Sequence, residues 1–341
     1  MELLALCWHP LWVPCTLVLS VVLWARRAAW RPAACPVDLR GKTAVVTGAN
    51  SGIGKCAALE LARRNARTIL ACRSRERGAA AVEEIRRATG NPDVHLRILD
   101  TSSMASVRNF ARQFLEEEGR LHILVNNAGT TGLPFTVTPE GLSLMFATNY
   151  LGHFLLTNLL LDAMKASAPS RIVNVSSFRH QTGEANVQFL SGKEYPKNVS
   201  KAYDSTKLMN VLFTVELARR LQGTGQRTAL PSRGVTVNAL SPGIVHTEIM
   251  KNYSWWVRLL FHLVGILFLK SPTQGSFSTT YCAVSEEVEG ISGKYFDSDC
   301  RLALPSPLAR DPAIGRKLWE ASEKLVGLDD GGREPASRKV A

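Results

Sequence analysis

The sequence is most informative at first through what it lacks. No C-x-x-C pair occurs, and the seven cysteines, at 7, 15, 35, 56, 72, 282 and 300, are odd in number and widely spaced. That pattern argues against a disulfide framework and for reduced thiols in a cytosol-facing domain. No metal site is assigned. Lys and Arg outnumber Asp and Glu 41 to 29, a net charge of +12, yet no basic stripe interleaved with aromatics is present. The basic residues are scattered in pairs such as Arg63 and Arg64 or Arg86 and Arg87, which excludes the usual nucleic-acid footprint and leaves anionic lipid or a phosphate-rich cofactor. No internal repeat is found, and low complexity is confined to a Gly-, Arg-, Ser- and Pro-rich tail over 329–341, read as disordered.

With 341 residues, 45% of them apolar, the chain has material for one large domain and a terminal segment. From Leu3 to Trp24 the only strongly polar side chain is His9; 22 residues of helix reach about 33 Å, enough for a bilayer core. Residues 1–30 are therefore read as a membrane anchor. Pro10 and Pro14 would kink a spanning helix, so a re-entrant or interfacial helix stays open, as do a cleaved signal peptide and a soluble helix. Arg26, Arg27, Arg31 and Arg40 follow the apolar run, which by the positive-inside rule puts the following domain in the cytosol, at the endoplasmic reticulum or another intracellular membrane. Sequons at Asn174, Asn198 and Asn252 offer a check on that topology.

After a linker over 30–40, short β-branched runs alternate with amphipathic stretches. This predicts an α/β fold, a Rossmann-type doubly wound domain over 38–325. Strands are expected at 42–47, 67–72, 94–99, 122–126, 171–176, 234–240 and 294–296, giving about seven parallel strands.

Between the first strand and a helical run lies Thr47-Gly48-Ala49-Asn50-Ser51-Gly52-Ile53-Gly54. Gly48 permits the tight turn, Gly52 lets backbone approach a pyrophosphate, Gly54 allows close packing, and the helix N-terminus favours negative charge. Where an acidic residue would hold the ribose hydroxyl of NAD, 19 residues after Gly54, stands Arg73. A guanidinium there matches the 2′-phosphate of NADP, although a solvated strand-end charge is the bland alternative. Asp100 and the run Asn126-Asn127-Ala128-Gly129 close the third and fourth strands, either lining the adenine side of the cleft or forming turns.

Tyr203 and Lys207 lie four residues apart on one helix face. An ordinary phenol titrates near 10, and a neighbouring ammonium and an oxidised nicotinamide would favour its phenolate. Such a pair alone is common by chance. Its place after a strand ending in Ser176-Ser177, at the carboxyl edge of a parallel sheet, gives it meaning.

These markers, in this order over about residues 40–325, resemble the short-chain dehydrogenase/reductase superfamily. The resemblance implies that Ser177 holds the substrate oxygen, Tyr203 is the general acid/base, and Lys207 binds the nicotinamide ribose and lowers the tyrosine pKa. It also implies that Asn149 orders a proton-relay water. In Pro242-Gly243-Ile244-Val245-His246-Thr247, it gives Val245 a backbone and Thr247 a side-chain bond to the nicotinamide carboxamide. The reaction would be hydride transfer between nicotinamide and a carbonyl or alcohol carbon, with NADP(H) as cofactor.

Ala71-Cys72-Arg73-Ser74, the stretch Asn149-Tyr150-Leu151-Gly152-His153-Phe154, the long interval from Ser177 to Tyr203 and the N-terminal apolar run further resemble the retinol dehydrogenase branch. A lipophilic alcohol or aldehyde such as a retinoid is implied, with homo-oligomers common in the superfamily. The apolar stretch 255–269 fits a lid that dips into the membrane, with an ordinary buried helix or a subunit contact as the alternative. Three departures stand out. Residues 222–233 are long and basic, Thr101 replaces an apolar residue, and Tyr150 stands where retinol dehydrogenases often carry His, a departure that weakens the transfer of fine substrate specificity from that branch. A steroid or generic carbonyl reductase, and an NADP-binding scaffold without turnover, are the rival readings.

Overall fold

The computed structural model describes residues 30–223, 234–245 and 269–329, together with Thr16, Asn252, Trp255 and Trp256. The anchor segment, apart from Thr16 and Trp30, the tail from 330, and most of the 255–269 stretch lie outside the described residues, as does Thr247.

Eight strands form one sheet in the order β3-β2-β1-β4-β5-β6-β7-β8. They are β1 (Thr43–Thr47), β2 (Arg67–Cys72), β3 (Val94–Ile98), β4 (Ile123–Asn126), β5 (Ser170–Val175), β6 (Val235–Leu240), β7 (Tyr295–Phe296) and β8 (Leu302–Ala303). The first seven are parallel, as the sequence predicts; β8 adds an antiparallel edge that the sequence reading did not anticipate. Two residues are too few for an alternation signal. Helices α1 (Gly52–Arg63), α2 (Arg75–Thr89), α3 (Met104–Glu117), α4 (Leu144–Ala166), α5 (Val199–Gly223), α6 (Pro272–Val284) and α7 (Pro312–Val326) cover both faces.

β1 is buried along its whole length, as expected for a central parallel strand. Its side chains alternate between two cores. Val45 joins Phe110, Phe114, Phe146, Tyr150, Phe154, Phe213 and Trp319 on one face, while Ala44 and Val46 join Leu61, Val82 and Tyr281 on the other. Among the described residues α4 alone is long and apolar enough to cross a bilayer, and 72% of its apolar window is buried, so it is a core helix. Tyr150 is fully buried there, its hydroxyl 2.8 Å from Ser322 Oγ on α7. Position 150 thus fills the core.

Packing begins inside the stretch read as a linker. Trp30 lies edge-on to Tyr281 at 5.4 Å, and Arg64, the C-cap of α1, donates to the Pro32 carbonyl at 2.8 Å. The buried guanidinium, paired with Glu60, thereby fastens the entering chain to the domain. Cys35, Cys56, Cys72, Cys282 and Cys300 are all free thiols.

The order of β1 and β4 at the centre, with β2 and β3 to one side and β5 to β8 to the other, opens a crevice at the carboxyl ends where the chain reverses direction. The glycine loop, Arg73, Asp100, Asn127 and Ser177 each follow the carboxyl end of a strand and so lie at that edge.

Candidate active site

On the β1 side the cleft is shaped by missing side chains. Gly48 has φ +66° and Gly52 φ +56°, backbone that other residues rarely adopt. A Cβ on Gly48 would lie 2.9 Å from the Ala128 Cα, and one on Gly54 would lie 2.4 Å from Asn127 Nδ2 and 2.6 Å from the Gly48 carbonyl. The closeness read into Gly54 is thus between the start of α1 and the two loops beside it. Asn127 Nδ2 donates to the Thr47 carbonyl at 2.9 Å, and Thr47 Oγ1 accepts from the amides of Asn127 and Ala128 at 2.9 Å each. Ser51, the N-cap of α1, makes no side-chain cap bond; Asn50 and Ile53 are half-buried beside it.

Arg73 follows β2 with its side chain 69% exposed and its Nη1 3.9 Å from Asp100 Oδ2. Asp100 Oδ1 accepts from the Ser102 amide and hydroxyl at 2.9 and 2.7 Å, so this carboxylate does form the turn it was weighed as, with one oxygen left toward Arg73. Cys72 sits beneath the loop. Burial pushes its thiol up to about 11, opposed by bonds from the amides of Ala49 and Asn50, so it remains a neutral floor.

On the β5 side the cleft is built from buried polar side chains. Lys207 is 3% exposed; its Nζ donates to the Val175 carbonyl at 2.9 Å and lies 5.5 Å from the centre of the Tyr203 ring. Burial pulls the ammonium down to about 8. Ser177 caps the 3-10 turn Phe178–Thr182, its Oγ accepting from the Arg179 amide at 3.2 Å, which leaves the hydroxyl hydrogen to donate elsewhere. This turn is clamped onto the second turn of α5, because Arg179 pairs with the buried Asp204, which also accepts from Thr182 Oγ1 at 2.7 Å. Ser177 and Tyr203 are held to each other's elements by that clamp.

Asn149 is fully buried in the π turn Ala147–Leu151 of α4, a helix irregularity often found at functional sites. Its Oδ1 accepts from the Thr130 amide at 2.8 Å, and its Nδ2 donates to the Thr130 carbonyl at 2.9 Å and Thr206 Oγ1 at 3.1 Å. A Cβ on Gly129 would lie 3.6 Å from Asn149 Oδ1 and 3.7 Å from Lys207 Nζ, which brings the β4 loop, α4 and α5 to one point.

A family model described as short chain dehydrogenase matches residues 42–257. The chain belongs to the short-chain dehydrogenase/reductase family. It falls in the retinol dehydrogenase-like branch. It is 47% identical over 302 residues to retinol dehydrogenase 13 of Mus musculus, covering 86% of this chain and 87% of that one. It is 46% identical over 294 residues to retinol dehydrogenase 11 of Homo sapiens, covering 86% and 88%. It is also 46% identical over 299 residues to dehydrogenase/reductase SDR family member 13 of Bos taurus, covering 86% and 75%. Among solved structures, an uncharacterized protein from Mycobacterium paratuberculosis superposes with a TM-score of 0.70 at 30% identity, over 87% of this chain and 97% of that one. The 3-ketoacyl-(acyl-carrier-protein) reductase of Brucella melitensis, at 24% identity and TM-score 0.58, covers 76% and 97% and shares the fold. As a short-chain dehydrogenase/reductase the chain is an oxidoreductase acting on CH–OH groups.

Within this dehydrogenase fold Gly243 has φ +83°, and Val245 is 6% exposed and bridged to Lys270, whose amide donates to the Ile244 carbonyl at 3.0 Å. Gly275 of α6 packs against Val245 so closely that a Cβ would meet its Cγ2 at 2.5 Å. Pro242 is buried in the same turn. Trp255 and Trp256 are 74% and 58% exposed, and Asn252 Nδ2 donates to the Thr131 carbonyl at 2.7 Å, beside the Thr130 that holds Asn149. Thr101 packs its carbonyl against Gly152 of α4, where a Cβ would approach to 2.0 Å. The departure from an apolar residue at 101 leaves that backbone contact intact. The sequence reading did not give His153 a part in the site, although it contacts both Thr47 and Asn149; it lies one turn from Asn149, and that helical spacing was the available signal.

Proposed function

We propose that this dehydrogenase is NADP(H)-dependent and interconverts a lipophilic alcohol and its aldehyde or ketone, a retinoid above all, with reduction the direction in cells. The observation that carries the chemistry is the buried Lys207 ammonium facing Tyr203 on α5, beside the glycine cradle at the strand ends. The cradle fits a dinucleotide because any side chain at Gly48 or Gly54 would fill it, and the exposed Arg73 fits a 2′-phosphate. Gly52, Asn50, Ser51 and Ile53 would hold the pyrophosphate, Asp100, Asn127, Ala128 and Gly129 the adenosine side, and Pro242, Gly243, Val245 and Thr247 the nicotinamide. When bound, the cofactor carries the hydride.

In reduction Tyr203 gives its phenolic proton to the carbonyl oxygen, while Ser177 Oγ donates a hydrogen bond to the same oxygen. Lys207 sets a positive charge beside the resulting phenolate and lowers the cost of that proton transfer. The Asn149 side chain is spent on Thr130 and Thr206, so any water it orders would be held through its main-chain carbonyl. Exposed Phe178, beside Ser177, and Ile244, beside Val245, favour an apolar substrate, as do the names of the retinol dehydrogenases that resemble this chain.

Residues 1–30 are proposed as the membrane tether, 38–325 as the catalytic domain and 329–341 as a disordered tail, with the domain in the cytosol. Asn198 is exposed whereas Asn174 is buried, so the absence of a glycan on Asn198 in cells is the expected outcome and its presence would reverse the orientation. The decisive assay is NADPH and NADH consumption by detergent-solubilised full-length protein with all-trans-retinal, a steroid ketone and a simple aldehyde, Tyr203→Phe as control. Tyr203-dependent NADPH oxidation with retinal is expected. Preference for the steroid would transfer the reading to a steroid reductase, and tight NADPH binding without turnover to a scaffold.

A further inference from the structure

His153 is fully enclosed on α4, 2% exposed, between the two sides of the cleft. Its Nδ1 lies 3.3 Å from the Asn149 carbonyl and its Nε2 2.9 Å from Thr47 Oγ1. The proton positions follow from what each partner can do. A carbonyl only accepts, so Nδ1 carries the hydrogen. Thr47 Oγ1 already accepts from the amides of Asn127 and Ala128, which occupies both its lone pairs, so its own hydrogen must go outward. The choices are the Val125 carbonyl at 3.4 Å and His153 Nε2 at 2.9 Å, and the shorter contact takes it. Desolvation lowers the ring to about 4, opposed by the Asn149 carbonyl, so one neutral tautomer persists through the working pH range.

We infer that His153 is a positioning residue for the reaction, a neutral Nδ1–H ring that locks the Asn149 turn to Thr47 and, through Thr47, to the Asn127–Ala128 loop of the cofactor cleft. One ring thereby sets two things at once: where the main chain of Asn149 stands relative to Lys207, and where the β4 loop stands relative to the dinucleotide. His153 touches neither substrate nor cofactor. The inference rests on the reading of Asn149, Tyr203 and Lys207 as the proton-handling group, and its loop arm can be tested without turnover.

The two arms can be separated because an asparagine amide nitrogen reaches about where Nδ1 sits and a glutamine oxygen about where Nε2 sits. His153→Gln is expected to keep NADPH affinity within about twofold and to lose about tenfold in kcat, whereas His153→Asn shows the reverse split. His153→Leu, which fills the space without either bond, loses about tenfold in both. NADPH affinity is read by fluorescence titration of the full chain, kcat with retinal, and folding by circular dichroism. If His153→Leu keeps both quantities within twofold of wild type, or if Gln and Asn lose both by the same factor while folded, the ring is only packing and the inference falls. Should the position 153 variants not fold, Thr47→Ser and Thr47→Val decide it. Serine retaining NADPH affinity while valine weakens it about tenfold supports the lock, and equal affinities overturn it. A wild type inactive on every carbonyl would sink the proposed reaction, while the titration would still read the loop arm.

Discussion

The two sides of the cleft are built by opposite means. The β1–β2 side works by absence and openness: glycines leave room for a ligand, and its one charged reader, Arg73, stands 69% exposed. The β5–α5 side works by burial. Lys207, Asn149 and Asp204 are each 3% exposed or less, and each has a partner within hydrogen-bond distance. Buried polar groups are costly unless satisfied, so this side is a rigid, dry setting in which a proton can be tuned, whereas the first side can be tight only once a ligand fills it. Recognition is assigned to shape and chemistry to burial, and each assignment can be broken separately.

The largest separation is expected from Tyr203→Phe, which removes the proton donor alone. Turnover falls by about a thousandfold while NADPH affinity, measured by titration, stays near wild type. Equal loss of binding would merge the two sides. Next is Gly54→Val, whose side chain collides with Asn127 and the Gly48 carbonyl; about a hundredfold weaker NADPH binding is expected, with kcat at saturating cofactor largely kept. Arg73→Asp comes third. Setting a carboxylate against the phosphate costs NADPH about tenfold more than NADH in KM comparisons, and equal losses would mean that Arg73 does not read the phosphate.

The smallest effect is on stability and sharpens the burial argument. Lys207 is lowered in the fold to about 8 from an ordinary 10.5, so between these values the unfolded chain binds the extra proton. Stability of the cofactor-free protein therefore rises with pH across that window, and below about 8 the full cost of the buried charge is present. Denaturant unfolding of wild type against Lys207→Met at pH 7, 8, 9 and 10 checks the sign. A difference that is flat with pH would mean that Lys207 is better solvated than its burial implies.

Six of the seven parallel strands were legible as short runs containing β-branched residues and the seventh, Tyr295–Phe296, as a short aromatic one, and their observed ends fall within a residue or so of expectation. β8 was not legible, since Leu302–Ala303 is defined by pairing with β7 rather than by any local pattern. Pro32 and Pro36 make 30–40 look like a linker, yet Trp30 and Arg64 fasten it to the domain through partners far away in sequence. Tyr150 and His153 give the sharpest contrast. Both belong to the stretch that marks the retinol dehydrogenase branch, but one fills the core against α7 and the other bridges the cleft, and only the face of α4 on which each falls decides between them.

What the sequence determined by itself is local: the glycine loop, the Tyr203–Lys207 spacing, the basic residue after β2 and the order of strands and helices, because each depends on neighbours within a turn or a strand. The tertiary structure alone decided which polar groups are enclosed and by whom. The Arg179–Asp204 clamp, the spending of Asn149 on Thr130 and Thr206, and the His153–Thr47 bridge join residues between 19 and 106 positions apart. Those contacts exist only once the sheet has brought its carboxyl ends to one edge, where burial makes each unsatisfied hydrogen bond expensive and so fixes its partner.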